Sequence, residues 1–225
     1  MKRYLFALAL GLGGCAILLA LGLWQLQRLE WKTAMLDQIS AQIAGAPQPL
    51  PPEGTDSRAL KYTPVTVAGG TTGEELLVLT GVKGVGPGYE VISVLETGEG
   101  RRVLIDRGFV PEAGRDAPRG PTALIVTGNL HWPEEADRYT PEPDARTGIW
   151  FARDVPAMAA ALGTEPVLIV AAQVSGDPQG IAPQPITITG IPNDHLNYAI
   201  TWFSLAIVWA GMTAFLMWRI RRRRI

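Results

Sequence analysis

Two stretches of this chain carry no charge at all. Tyr4 to Trp24, YLFALALGLGGCAILLALGLW, runs for 21 residues, and Leu196 to Trp218, LNYAITWFSLAIVWAGMTAFLMW, for 23. Wound as helices at about 1.5 Å per residue, each reaches roughly 30–35 Å, enough to cross a hydrocarbon core. Tyr4, Trp24 and Trp31 flank the first, and Tyr198, Trp202 and Trp218 flank the second. Aromatic rings of this kind settle at the two faces of a bilayer. The pattern predicts membrane-spanning helices over 4–24 and 196–218.

After the first span Leu26, Leu29, Met35 and Ile39 recur at helical spacing among polar residues, so a juxtamembrane helix is expected over 25–44. GAPQPLPPEGTDS then breaks it with Pro and Gly. The following region, 45–192, changes period. KYTPVTVAG, EELLVLTG, GYEVISVLE, RRVLIDRGFV, ALIVTGNLHW, PVLIVAAQV and QPITITG are β-branched and aromatic-rich, bounded by Gly, Pro, Asp and Asn. LETGEGRRVL reads as a hairpin turn. One helix interrupts the strands, DVPAMAAALG, with Asp154 as N-cap, Pro156 in the first turn and Gly163 at its end. The expected fold class is therefore a membrane protein of α+β type. Two transmembrane helices flank a β-rich, barrel- or sandwich-like extracytoplasmic domain with one short helix.

Small residues recur four apart in both spans: Ala7, Gly11 and Cys15 in the first, and Ala206, Ala210 and Ala214 in the second. Such stripes let helix backbones approach, so the spans are expected to pair, within one chain or between chains.

Charge changes the picture by its placement. The formal net charge is −1, but 25–195 carries 13 basic against 21 acidic residues, a net of −8, while Lys2, Arg3, Arg219 and Arg221 to Arg224 make both ends basic. An acidic middle argues against nucleic-acid binding. Basic ends, with a tail at 219–225, place both termini in the cytoplasm and the main domain outside it, although Arg28 and Lys32 pull weakly the other way. No Arg- and Ser-rich amphipathic presequence is present, which favours a bacterial inner membrane and a periplasmic domain. The first span is expected to stay as an anchor. No small-x-small site precedes a polar segment, and Cys15 of LGGC is followed by more apolar sequence rather than a polar tether.

Catalytic chemistry is hard to find. Cys15 is the single cysteine, which excludes an intrachain disulfide and a Cys-based metal site. There is no P-loop, no HExxH and no nucleophile elbow among the few serines. GVKGVGPGYE precedes a strand and reads as a loop. Asp106 and Arg107 of VLIDRGFVP, at a strand-to-turn junction, and His131 of LHWPEE, at a strand end, read as structural.

The second histidine, His195, stands in PNDHLNYAITWF, where the polar segment enters the second span. Two readings compete. Asn193 or Asp194 could cap the helix and leave His195 as an ordinary interface residue. Alternatively, a neutral imidazole at the outer membrane edge is a good axial ligand for haem iron. Tyr198 and Trp202, three and seven residues on, share roughly its face and could pack on a porphyrin, with Arg28 or Lys32 near a propionate.

LGLWQLQRLEWK leaving the first span, VLIDRGFVP in the middle and NDHLNYAITWFSLA entering the second, in that order and with this topology, resemble the surfeit locus protein one family of cytochrome c oxidase assembly factors. PLPPEG and GYEVISVL fit as well, and the likeness covers essentially the whole chain. The resemblance implies a non-enzymatic role in building an aa3-type haem-copper oxidase: binding haem a and helping deliver it to subunit I, with haem a synthase as a further partner and membrane lipid as the surroundings. It implies that His195 is the haem-binding histidine. The residues around Trp24, Gln25, Arg28 and Lys32, and around Asp106, Arg107 and Gly108, belong to motifs without assigned roles. The alternative is a haem-free scaffold for assembly intermediates.

Overall fold

The computed structural model describes residues 2–55, 57–144 and 146–222. Arg223, Arg224 and Ile225 of the basic tail, together with Asp56 and Ala145, lie outside the described residues. The elements in chain order are α1 (Lys2–Ile43), β1 (Gln48–Pro49), α2 (Ser57–Leu60), β2 (Pro64–Val82), β3 (Gly86–Thr97), β4 (Arg102–Pro111), β5 (Ala123–Leu130), β6 (Ile149–Trp150), α3 (Val155–Leu162), β7 (Leu168–Gly176) and α4 (His195–Arg222). The chain divides into two compact units, one of residues 1–38 and 188–225, the other of residues 39–187.

The first unit is a pair of long apolar helices. Only 17% and 6% of their most apolar windows are buried within the chain. Phe6, Leu12, Ile17, Ile207, Met212 and Phe215 all face outward. Water does not tolerate so much continuous apolar surface on a helix, and a bilayer does. These are two membrane-spanning helices flanking a β-rich domain.

In the second unit β2, β3, β4, β7 and β5 follow one another by hydrogen bonding, and β5 pairs back onto β2. The sheet therefore closes into a five-stranded barrel, antiparallel except for β4 beside β7. This Greek-key closure is shared with OB-type barrels. β2 makes it possible. Pro64–Gly70 pairs with β5, while Gly69–Thr71 and Glu75–Val82 pair with β3. Within the β3 pairing the register shifts at Thr71/Glu75, and Gly73 adopts φ +85°. KYTPVTVAG and EELLVLTG are thus one bent strand rather than two, with a bulge between them.

Val65, Val67, Leu95, Val103, Ile105, Leu124, Val126 and Ile169 fill the barrel. A second layer lies outside it, where Val155, Met158 and Ala159 of α3 cover Val78, Ile92, Leu104, Leu168 and Val170. β4 is buried on both faces, which explains its unbroken apolar run. α3 forms as its sequence predicts: Asp154 accepts from the Ala157 N–H and Gly163 closes it in the left-handed conformation, φ 62°. The predicted strand QPITITG does not form. Pro183 and Pro185 remove ladder donors, and only Ala182 makes a bridge, to Phe109. β1 and β6, two residues each, are too short for any periodicity to announce.

DRGFVP in β4 is a structural knot. Asp106, 1% exposed, accepts from the Gly108 N–H at 3.1 Å and from Arg153 at 3.0 Å. Arg107 donates to the Gln179 side chain and to the carbonyls of Asp177 and Pro178, clasping the 177–179 loop. Gly108 sits at φ +116°, and a Cβ there would lie 2.1 Å from the Ala182 carbonyl oxygen. That close approach lets the 181–183 segment exchange two backbone hydrogen bonds with Phe109.

Arg153, just before α3, gathers three carboxylates: Glu90 at 3.3 Å, Asp106 at 3.0 Å, and Glu135 closer still. One guanidinium cannot neutralise three acids. Burial, and then the Asp106 charge, push Glu90 up to about 7 against the opposing pull of Arg153. Burial raises Asp106 as well. Glu135 is more exposed; neighbouring protein raises it somewhat, but its hydrogen bonds to Arg153 outweigh that and hold it below its usual value. His131, stacked on Tyr62, is pushed down to about 4 by burial and then by Arg153, and stays neutral.

Two outcomes are expected. Gly108→Ala should destabilise the protein by about 3 kcal/mol or more, since it combines a positive φ with a backbone clash; urea unfolding of the full chain in detergent measures it. Glu90 has a folded-state pKa above its unfolded value of 4.5, so its contribution is fully present below pH 4.5 and is lost as pH rises through 7. Glu90→Gln should match wild type near pH 4 and be more stable at pH 8 by on the order of 3 kcal/mol, read from the same unfolding curves at each pH.

Candidate functional site

The paired helices are the frame of the candidate site. On α4 the positions turned toward α1 are His195, Ala199, Trp202, Ala206, Trp209 and Thr213, in alternating steps of four and three. On α1 the sheltered positions from Cys15 onward are Leu18, Gly22, Gln25, Leu29 and Lys32, with the same alternation. This is the heptad rhythm of a coiled-coil seam. The pairing is within one chain. Ala7, Gly11 and Cys15 lie in the seam as their spacing predicts. On α4 only Ala206 of the predicted stripe does, while Ala210 and Ala214 are exposed. A strict four-residue step advances about 40° around a helix each time and walks off the seam; alternating fours and threes follow it.

Small residues set the approach. The Trp209 indole N–H donates to the Gly11 carbonyl at 3.1 Å, and the Cys15 thiol to the Ala206 carbonyl at 3.9 Å. A Cβ on Gly11 would meet Thr213 at 2.1 Å, and one on Gly14 would meet the Trp209 ring at 2.3 Å.

At the polar end of this pair, Asp194 is the residue that begins α4. Its carbonyl accepts from the Tyr198 N–H at 3.1 Å, and His195 is the first helical residue. The His195 imidazole Nδ1 lies 2.7 Å from Gln25 Oε1. An amide oxygen cannot donate, so Nδ1 carries the proton in this bond; in the neutral ring Nε2 would then keep its lone pair. Gln25 is 9% exposed. Around it, Lys32 Nζ donates to the Pro192 carbonyl at 2.5 Å, and Asn193 Nδ2 donates to Thr33 Oγ1 at 3.4 Å. Residues 192–195 are thus laced to residues 25–33.

The other expected site residues are distributed unevenly. Trp202 is half-buried in the seam two turns below His195, whereas Tyr198 is exposed on another face. Arg28 rests its guanidinium 4.3 Å from the centre of the exposed Trp31 ring. Lys32 is occupied by the Pro192 carbonyl. Two apolar grooves run along the helix pair, of about 320 Å³ beside Gly11 and Thr213 and about 340 Å³ beside Cys15 and Ala206. Neither is lined by His195, Gln25 or Trp202. Among the described residues no group of three His, Cys, Asp or Glu converges as a metal site. Gln25 is the residue whose role sequence reasoning missed. Its signal was present: a lone polar side chain just past an apolar span, seven residues from Leu18 and Lys32 on the seam.

Residues 12–207 match the profile of the SURF1 family. The chain belongs to that family. Among similar proteins, Surfeit locus protein 1 of Xenopus tropicalis is 28% identical over 208 residues, covering 83% of this chain and 67% of its own. The human Surfeit locus protein 1 is 29% identical over 208 residues, covering 83% and 69%. The SURF1-like protein of Caenorhabditis elegans is 31% identical over 232 residues, covering 88% and 68%. The span matched by the SURF1 family profile takes in Gln25, Arg28, Lys32, the Asp106–Gly108 knot, His195, Tyr198 and Trp202.

The tight seam predicts a specific sensitivity. Gly11→Val and Gly14→Val should each weaken the helix pair by about 1–3 kcal/mol through overpacking. Gly13→Val, where a Cβ would meet nothing within 4 Å, should have little effect. Detergent-induced unfolding followed by tryptophan fluorescence compares the three.

Proposed function

We propose that this protein is a membrane-anchored, non-enzymatic assembly factor for an aa3-type cytochrome c oxidase, which holds haem a through His195 and helps pass it to subunit I. Membership of the SURF1 family supports the oxidase role, through the motif likeness in LGLWQLQRLEWK, VLIDRGFVP and NDHLNYAITWFSLA. The observation that carries the haem role is the state of His195. Its Nδ1 is engaged by Gln25 at 2.7 Å, so a neutral ring would offer Nε2 as the nitrogen to hold haem iron.

In this reading His195 holds the iron, and Trp202, half-buried on the same seam, provides apolar surface for the ring. Tyr198 is exposed nearby for the same purpose. Arg28, stacked on Trp31, is the cation free to meet a propionate; Lys32 would first have to leave the Pro192 carbonyl. Bound haem a supplies the redox-active iron of the oxidase. The residues of this chain would keep it in a semi-apolar place at the membrane edge, with His195 to hold it, which suits a group that must be handed on. The two basic ends favour cytoplasmic termini, and with them a periplasmic barrel and a bacterial inner membrane. Subunit I and haem a synthase are the partners this reading requires.

The test is the reduced-minus-oxidised spectrum of protein purified in mild detergent from cells that make haem a. Wild type should carry a haem a signal. His195→Ala should lose it while unfolding at the wild-type midpoint. Absence of haem from both, with oxidase subunits still co-purifying, would make the protein a scaffold.

A further inference from the structure

We propose that Gln25 is a positioning residue that fixes the tautomer and ring orientation of His195, so that Nε2, and not Nδ1, is the atom presented to iron; this rests on the haem reading above.

A neutral imidazole has two tautomers, and which nitrogen is free for a metal is decided by what the other nitrogen meets. Metal-binding histidines usually donate their second N–H to an oxygen acceptor, which also raises the basicity of the ligating nitrogen. Here that acceptor is already in place. Gln25 Oε1 stands 2.7 Å from Nδ1, on the neighbouring helix, and Gln25 is buried. Water therefore competes weakly for its amide, and an unpartnered amide in this place would be costly. The backbone supports the same geometry from both sides. Gln25 sits in the middle of α1, and the segment before His195 is held by Lys32 on the Pro192 carbonyl and by Asn193 on Thr33. The ring is thus pinned at one nitrogen and open at the other. The described residues hold only one other histidine, and His131 lies in the barrel unit stacked on Tyr62.

The experiment reads the tautomer directly, without haem. The full chain is labelled with ¹⁵N-histidine, reconstituted in detergent micelles, and its imidazole nitrogens are observed by NMR; His195→Ala identifies which signals belong to His195. Wild type should show the Nδ1–H form at His195. Gln25→Leu should shift it toward the Nε2–H form, and Gln25→Glu, which keeps an oxygen acceptor, should retain Nδ1–H. Titration with iron protoporphyrin IX should then show binding weakened roughly 10–100-fold in Gln25→Leu and restored toward wild type in Gln25→Glu. An Nε2–H form in the wild type, or a tautomer unmoved by Gln25→Leu, would overturn the assignment. If the tautomer responds as expected but the wild type takes up no porphyrin, the haem reading fails and the positioning of His195 by Gln25 stands. Should Gln25→Leu separate the helices, its unfolding midpoint falls, and Gln25→Met, which keeps the length of the side chain but removes the oxygen acceptor, is read in its place.

Discussion

The barrel depends on one strand pairing with two neighbours. β2 hydrogen-bonds β5 from Pro64 to Gly70 and β3 from Gly69 to Val82, and it bends at the Thr71/Glu75 bulge, where Gly73 takes a positive φ. Closure follows from that bend. A closed sheet satisfies its backbone groups without an edge and leaves two faces for side chains, the interior and the outer layer under α3. β4 is buried by both, so it can carry an internal charge only with partners. Arg153 and the Gly108 N–H are those partners for Asp106.

DRGFVP therefore has two distinct jobs from two faces of one strand. Asp106 joins β4 to Arg153, just before α3, and Arg107 on the other face clasps the 177–179 loop. Its chemistry is architectural, which answers why so polar a motif stands at the end of an apolar strand. The histidine end of the helix pair differs in kind. There the polar groups do not neutralise one another. They hold the His195 ring by its Nδ1.

Much of the fold was legible in the chain, and the failures have physical causes. The two uncharged spans, the continuation of the first helix past Trp24, the Asp154 and Gly163 ends of α3 and the LETGEGRRVL hairpin all follow from local rules and form as expected. The barrel was readable only as a choice between barrel and sandwich, because closure is a property of pairing between distant strands. KYTPVTVAG and EELLVLTG were counted as two strands because Gly marks both strand ends and bulges. QPITITG was misread because alternation of Ile and Thr outweighed the two prolines that forbid a ladder. At the site, His195 was visible by its type and place. Its hydrogen bond to Gln25 spans 170 positions in sequence, and no single-chain pattern announces a partner so far away. The α4 stripe of alanines shows the same limit: spacing alone could not say which face meets the other helix.

The bond between Gln25 and His195 couples two equilibria. A ligand that draws electron density from Nε2 makes Nδ1–H a stronger donor, and that tightens the link between α1 and α4. Thermodynamic linkage makes the effect mutual: whatever holds the helices together favours retention at Nε2, and whatever prises their outer ends apart favours release. In the proposed carrier role no separate gate would be needed: a partner that bound by separating the two helix ends would loosen the haem in the act of docking.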